Sequence, residues 1–484
     1  MANVPSHPFS PEALAERHGG AYRWWVLLTV MLGTMASIMA STIVNVAVPD
    51  MSHEFALGQE RAQWLSAGFM AAMTISMLLT PWLLDRFGYR RTYAGAMLLL
   101  MLGGIGGGLG RDIDWVLAMR AAEGLAAGVL QPIPAILILH TFGRHEQGKA
   151  MGIFGFGVVL APAIGPSIGG VLVEGFGWRS IFFVVVPFCV AALALGQRYL
   201  PHSSPGSATI NETRRRLDWP GLVLLAVAVL SLLNGLVHLH DSAHGTAIAL
   251  LVLAAAGAAG FLVRQRRAEH PMMQLRLFGH HTFSWGGVVA FIYGMALFGS
   301  TYLVPVFMQI ALSLPPSQAG AVLLPAGLVL ALTIPVAGRL ADRYAFHRTL
   351  AAGVLLLAVS FWLMMTVGAA TALLTITVWA IVGRIGLGLV LPSLNLGAVR
   401  ALPMDLLPYG ASGINFLRQL GGAVGVSLVG IVLEWRLGVH AGDPVRGFHE
   451  TFFLLGLICM GAVLAAWRMQ PRPTDPPPSH PPTA

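Results

Sequence analysis

Apolar runs of about twenty residues, the length a helix needs to cross a bilayer, recur along the 484-residue chain between short breaks that carry arginine. Composition agrees: 56% of residues are hydrophobic and only 10% are charged, against roughly 25% charged in an ordinary soluble domain. A water-soluble globule is excluded. The pattern predicts an all-α polytopic membrane protein.

The runs place spans at 24–48, 63–84, 92–110, 115–139, 148–173 and 180–199, then 218–237 and 246–263, then 282–311, 318–338, 349–368, 371–399, 411–433 and 450–468. That makes fourteen. The first 22 residues lead into a run too long for a signal-peptide core, so it reads as a retained first helix. With these spans, one side of the membrane collects twenty-one basic residues and the other five, leaving Arg120, Arg384 and Arg418 inside spans. Positive residues mark the cytoplasmic side, so both termini are expected in the cytoplasm. Tryptophans near span ends, such as Trp24, Trp115 and Trp467, fit an interfacial belt.

The expected organisation is a cytoplasmic segment 1–22, a six-helix bundle 23–200, a linker 201–217, two inserted helices within 218–264, a linker 265–281, a second six-helix bundle 282–468 and a disordered tail 469–484. Cys189 and Cys459 lie in separate apolar runs, so no disulfide framework or cysteine metal site is expected.

The halves look duplicated. Leu83-Leu84-Asp85-Arg86 follows the second span and Leu340-Ala341-Asp342-Arg343 the tenth, each trailed by aromatic and basic residues, and Arg120 and Arg384 occupy the fourth span of each half. Internal repeats of this kind are common in transporters.

These features resemble the major facilitator superfamily, specifically its fourteen-helix drug:proton antiporters. The resemblance rests on Thr42-Ile43-Val44-Asn45-Val46-Ala47-Val48-Pro49, Asp85-Arg86, Arg120-Ala121-Ala122-Glu123-Gly124, Gly165-Pro166-Ser167-Ile168-Gly169-Gly170 and Asn415-Phe416-Leu417-Arg418-Gln419-Leu420-Gly421-Gly422. It implies two pseudo-symmetric six-helix bundles plus two inserted helices, and proton-coupled export of small amphipathic or hydrophobic compounds across a bacterial inner membrane. The proton gradient is the energy source and no cofactor is implied. The implied partners are substrate, protons and membrane lipid, with no nucleic acid; a periplasmic adaptor or outer-membrane channel is left open. The chain departs from the family pattern at three places: Ala40 stands where an aspartate is usual, Pro81 where the loop motif opens with glycine, and Glu123 where glutamine is usual. The first bears on recognition of cationic drugs. The third moves the deep carboxylate to the fourth span.

Ionisable residues within spans point to function. Arg120 and Glu123 are three apart, hence on one helix face where they can face the same cavity, and Glu123 is expected to be the proton carrier with Arg120 its tuning partner; the competing role is a static pair that fixes helix packing. Asn45, Gln131, Arg384, Asn415 and Arg418 are expected to line a substrate cavity, the arginines pairing with carbonyls or an anionic substrate. Asp50 is expected to end the first span as an entrance residue or a solvated helix end. Asp85, Arg86, Arg90, Asp342 and Arg343 are expected to gate the cytoplasmic face. Gly165, Pro166, Gly169 and Gly170 form the antiporter motif, in which Ala161, Gly165 and Gly169 clear one helix face for a neighbour and Pro166 favours a bend.

Gly143 to Ala150 resembles a phosphate-binding loop, but Ala150 replaces the metal-binding hydroxyl residue and no strand precedes it. His238, His240, Asp241 and His244 match no standard metal spacing. No catalytic cluster is evident, so no enzyme activity is expected. Competing readings are a dedicated exporter of one anionic or neutral metabolite and, more distantly, a membrane-embedded lipid enzyme or a non-transporting sensor.

Overall fold

The protein is seen in a computed structural model that describes residues 11–205, 216–239, 244–440 and 442–470. After α1 (Pro11–His18), the N-terminal half comprises α2 (Tyr22–Glu54), α3 (Gln59–Met77), α4 (Thr80–Gly108), α5 (Ile113–Leu130), α6 (Ile133–Thr141), α7 (Gln147–Phe176), α8 (Ser180–Phe183) and α9 (Val185–Tyr199). An inserted hairpin of α10 (Trp219–His238) and α11 (His244–Arg267) follows. The C-terminal half comprises α12 (His281–Val306), α13 (Pro316–Arg343), α14 (Phe346–Met364), α15 (Leu373–Val399), α16 (Leu407–Val439) and α17 (Pro444–Arg468).

Every apolar run marked in the sequence is largely helical. By length and composition, eleven helices among the described residues suffice to cross a membrane, or twelve if the bent pair 61–77 and 80–108 is one span. Fourteen is therefore the sequence's count of spans rather than the structure's. The expected loop at 85–91 is itself largely helical: α3 breaks after Met77, α4 starts at Thr80, and the chain turns inside α4 at Gly88 (φ 73°, ψ 173°). Glycine takes that conformation without the Cβ clash that other residues meet. The fourth apolar run is split between α5 and α6, where Pro132 and Pro134 remove backbone donors.

The described parts of both linkers are more tightly held than their polarity implied. At the start of the first, Tyr89 N donates to Ser203 O at 3.0 Å and the Ser204 hydroxyl to Asp85 O at 3.0 Å, so 201–205 dock on α4. Within the second, Met272, Met273 and Leu277 are buried. The remainder of the first linker at 206–215 and the tail from 471 lie outside the described residues.

The halves repeat one packing scheme. In the first, α2 packs on α7 and α9, α3 on α5, and α4 on α5 and α9; in the second, α12 packs on α16 and α17, α13 on α15, and α14 on α15 and α17. The halves meet chiefly where α7 lies along α13, and also where α3 meets α16. This is the architecture that the resemblance implies: two pseudo-symmetric helical bundles with a hairpin inserted between them in sequence. Aliphatic burial alone does not order helices in lipid, so close approach at small residues does much of that work. At the α12–α16 crossing, a Cβ on Gly294 would lie 1.9 Å from the Arg418 carbonyl oxygen, and one on Gly421 would lie 2.0 Å from the Phe291 carbonyl oxygen.

Gly294→Ala should therefore lower the thermal stability of the purified protein by the equivalent of about 1–3 kcal/mol, as overpacking does. Gly170→Ala, whose Cβ would meet nothing within 4 Å, should leave the melting curve unchanged.

Candidate functional site

Arg120 and Glu123 sit one turn apart on α5 and are sealed inside the N-terminal bundle, at 0% and 1% exposure. Arg120 Nη1 donates to Glu123 Oε2 at 2.6 Å and to the Ala40 carbonyl of α2 at 3.0 Å; its Nε donates to the Leu65 carbonyl of α3 at 3.1 Å. The guanidinium lies over the Phe69 ring, 4.4 Å from its centroid. Its Nη2 is buried with no hydrogen-bond partner.

Glu123 turns the other way, onto α4. A Cβ on Gly103 would fall 2.6 Å from the Glu123 Cγ, and one on Gly104 would fall 3.4 Å from its Oε1. The pair thus ties α2, α3, α4 and α5 together. The expectation that both residues open onto the cavity is corrected by this geometry: the i,i+3 spacing brings the side chains together, but the surrounding helices close over them. Removing one partner of such a pair leaves an uncompensated buried charge, at a cost of about 3–5 kcal/mol.

Arg384 is the counterpart of Arg120 on α15. The next turn carries Leu387 where the first half carries Glu123, and the Leu387 carbonyl accepts the Tyr293 hydroxyl at 3.3 Å. Arg384 is only partly buried, lines a small cavity with Ser300 and Ser360, and has no carboxylate partner among the described residues. On α16, Arg418 Nη2 donates to Asn415 Oδ1 at 2.9 Å, and Asn415 Nδ2 to the Ala411 carbonyl at 2.9 Å. One residue on, Gln419 Nε2 lies 3.4 Å from Met70 Sδ on α3, across the two halves. Gln131 sits partly buried at the break between α5 and α6.

Asn45 is exposed and accepts the Ser66 hydroxyl at 2.7 Å. Asp50 is exposed but does not end its helix, because α2 continues through Pro49 to Glu54. The residue that anchors that end is Glu54, which accepts from Trp178 Nε1 at 2.6 Å and Arg179 Nη2 at 2.8 Å. No repeat or motif marked it.

Of the five expected gating residues, Asp342 bridges the halves. At the arginine-rich end of α13 its Oδ1 accepts from Gly148 N at 2.7 Å and its Oδ2 from Lys149 N at 2.8 Å. A carboxylate so placed satisfies two unpaired amides at the start of α7 and complements the helix dipole. The stretch that mimics a phosphate-binding loop does receive an anion, and the anion is the protein's own. Closeness here requires glycine on both sides: a Cβ on Gly148 would lie 2.2 Å from the Gly338 carbonyl oxygen, and one on Gly338 would lie 2.1 Å from that of Gly148. Arg400 Nη2 adds a bond to the Arg144 carbonyl at 3.0 Å. The two halves are thus drawn together on their arginine-rich side.

Arg86 and Arg343 are exposed, Arg86 lying beside the Trp82 and Phe87 rings. Arg90 Nε donates to Gln197 Oε1 at 2.9 Å within the N-terminal half, and Asp85 is partly buried. In the antiporter motif, Gly165 and Gly169 face Thr42 and Ile43 of α2, Gly170 faces open space, and α7 runs unbroken through position 166. His240 and Asp241 lie outside the described residues, among which no three His, Cys, Asp or Glu side chains gather as for a metal.

A sequence model of the Major Facilitator Superfamily matches residues 30–426. The chain belongs to that superfamily. Among curated superfamily relatives, a lincomycin resistance protein of Bacillus subtilis is 28% identical over 407 residues, covering 83% of this chain and 84% of the relative. A tetracenomycin C resistance and export protein of Streptomyces glaucescens is 29% identical, covering 86% of this chain and 77% of the relative. The superfamily fold also recurs in the crystal structure of a human organic anion transporter at 14% identity, with TM-score 0.67 and coverage of 93% of this chain and 99% of that one. The protein is thus a multi-pass membrane transporter.

Asp342→Asn should loosen the arginine-side seal by weakening two charge-assisted bonds. A cysteine placed at Ile334, with both native cysteines buried, should then react severalfold faster with a membrane-impermeant thiol reagent applied from that side. An unchanged rate would show that Asp342 does not hold the seal.

Proposed function

We propose that this transporter is a proton-coupled antiporter that exports small amphipathic or hydrophobic compounds by alternating access, set in a bacterial inner membrane with both termini in the cytoplasm. The observation that carries the reading is Glu123, a carboxylate held mid-span beside Arg120 at 1% exposure. Neutralising one partner of a buried ion pair leaves the other charge uncompensated and destabilises the packing around it. Protonation of Glu123 removes the charge that holds Arg120 Nη1, while the bonds to the Ala40 and Leu65 carbonyls remain to anchor the guanidinium. That makes the contact between α5 and α4 dependent on a proton without dissolving the bundle. In this reading Arg120 acts as the tuning partner, and proton arrival is coupled to helix rearrangement because Glu123 is reachable only when the packing around it opens. Resistance and export in the relatives' names accord with outward movement of the substrate.

A second reading, a dedicated exporter of an anionic metabolite, is favoured by Arg384 and Arg418. Two guanidinium groups in spans with no carboxylate partner among the described residues leave positive charge that an anionic substrate would neutralise. Asn415, Asn45 and Gln131 would then supply neutral polar contacts along the path.

The experiment is transport in proteoliposomes under an imposed pH gradient, screening cationic, neutral and anionic amphipathic compounds. The wild type should accumulate substrate against its gradient as protons move. Glu123→Gln should lose that coupling while still exchanging substrate for substrate. Coupling retained in folded Glu123→Gln would refute the role of Glu123, and transport confined to anions, reduced tenfold or more in Arg384→Gln, would select the second reading.

A further inference from the structure

The inserted hairpin does not lie flat on the body of the transporter. Its first helix, α10, rests on α3 and α16, where Leu225 and Val229 pack with Ile75, Leu78 and Phe416. Its second helix, α11, packs chiefly on α10, with Gly257 close against Ala228. At the base, Asp218 joins the two helices by accepting from Arg264 Nε at 2.9 Å and Gln265 Nε2 at 3.0 Å. Because α11 stands away from α16, a groove of about 820 Å³ remains between them.

Val229 forms its floor, Ala255 and Ala258 one wall, and Phe416 and Leu420 the other. Such walls offer water no hydrogen bonds, and in a bilayer the fitting occupant is an acyl chain. Along α11 the lining runs from Leu251 to Arg266, about 22 Å of helical rise. In a hydrocarbon core of roughly 30 Å, that carries the groove from headgroup level past the midplane.

The arginine-rich end is chemically different. Arg266 lines it and is exposed. Arg264 already has Asp218, but Arg266, Arg267 and Arg276 have no carboxylate partner among the described residues, and nearby Glu269 makes no ion pair with them. The segment between α11 and α12 crosses this end, with Leu275 and Phe278 in the lining and exposed Arg276 between them. An apolar slot that ends in uncompensated arginines at headgroup depth has the polarity of a phospholipid with net negative charge.

We propose that this groove is a binding site for an anionic phospholipid of the leaflet on the arginine-rich side. Its phosphate lies at Arg266 and an acyl chain runs along the alanine face between α11 and α16. The lipid fills the space the hairpin leaves open and fastens the hairpin to α16, one of the two helices at the seam with α3. The site does not depend on which substrate is carried.

The test is native mass spectrometry of the purified full-length protein with added phosphatidylglycerol or phosphatidylcholine. The wild type should retain phosphatidylglycerol about fivefold more strongly, the worth of one arginine near an anionic headgroup. Arg266→Gln, an exposed change, should abolish the preference, and Ala258→Trp, which fills the slot, should displace the lipid; a thermal melt confirms that each variant is folded. Equal retention of the two lipids by the wild type overturns the proposal. So does a phosphatidylglycerol preference that survives either variant in folded protein.

Discussion

A guanidinium cannot sit unpaired in hydrocarbon without large cost, and the N-terminal bundle is organised around meeting that demand for Arg120. Two backbone carbonyls from different helices, one carboxylate on its own helix and one aromatic face converge on it. The carboxylate needs room in turn, and Gly103 and Gly104 of α4 provide it. Four helices are thus positioned by one ion pair.

The second half repeats the helix arrangement but not this solution. Arg384 occupies the matching position, yet the residue one turn on is Leu387, whose carbonyl is engaged by Tyr293. One half therefore carries an internally balanced charge and the other an arginine with no carboxylate partner among the described residues. Between them the connection is made by Asp342, whose carboxylate caps a helix of the opposite half across a glycine contact. In the proposed reading this divides the labour: a protonatable lock in one bundle, a charge that a ligand would neutralise in the other, and between them a contact whose bonds would break as the transporter opens.

Much of this was legible in the sequence. The length of apolar runs located the helices, because bilayer thickness sets that length directly, and the repeat of Asp85-Arg86 at Asp342-Arg343 exposed the duplication. Three-residue spacing paired Arg120 with Glu123, since that contact is local to one helix. Its surroundings were not legible: whether a helix face meets a cavity or a neighbour depends on rotations that only tertiary packing decides. For the same reason Gly148 read as part of a false nucleotide loop, when its partner, Asp342, lies nearly two hundred residues away. Asp50 lies within α2 and not at its end, because apolar length alone does not show that the helix runs on through Pro49 to the polar Glu54.

The most direct measurement follows the protonation of Glu123 itself, by difference infrared spectroscopy, alongside the distance between spin labels on α7 and α13. If the ion pair is a proton-operated lock, a carboxylic-acid band absent from Glu123→Gln should appear as the two helices separate. A Glu123 that remains ionised while the halves part would reduce the pair to a structural tie and place the coupling elsewhere.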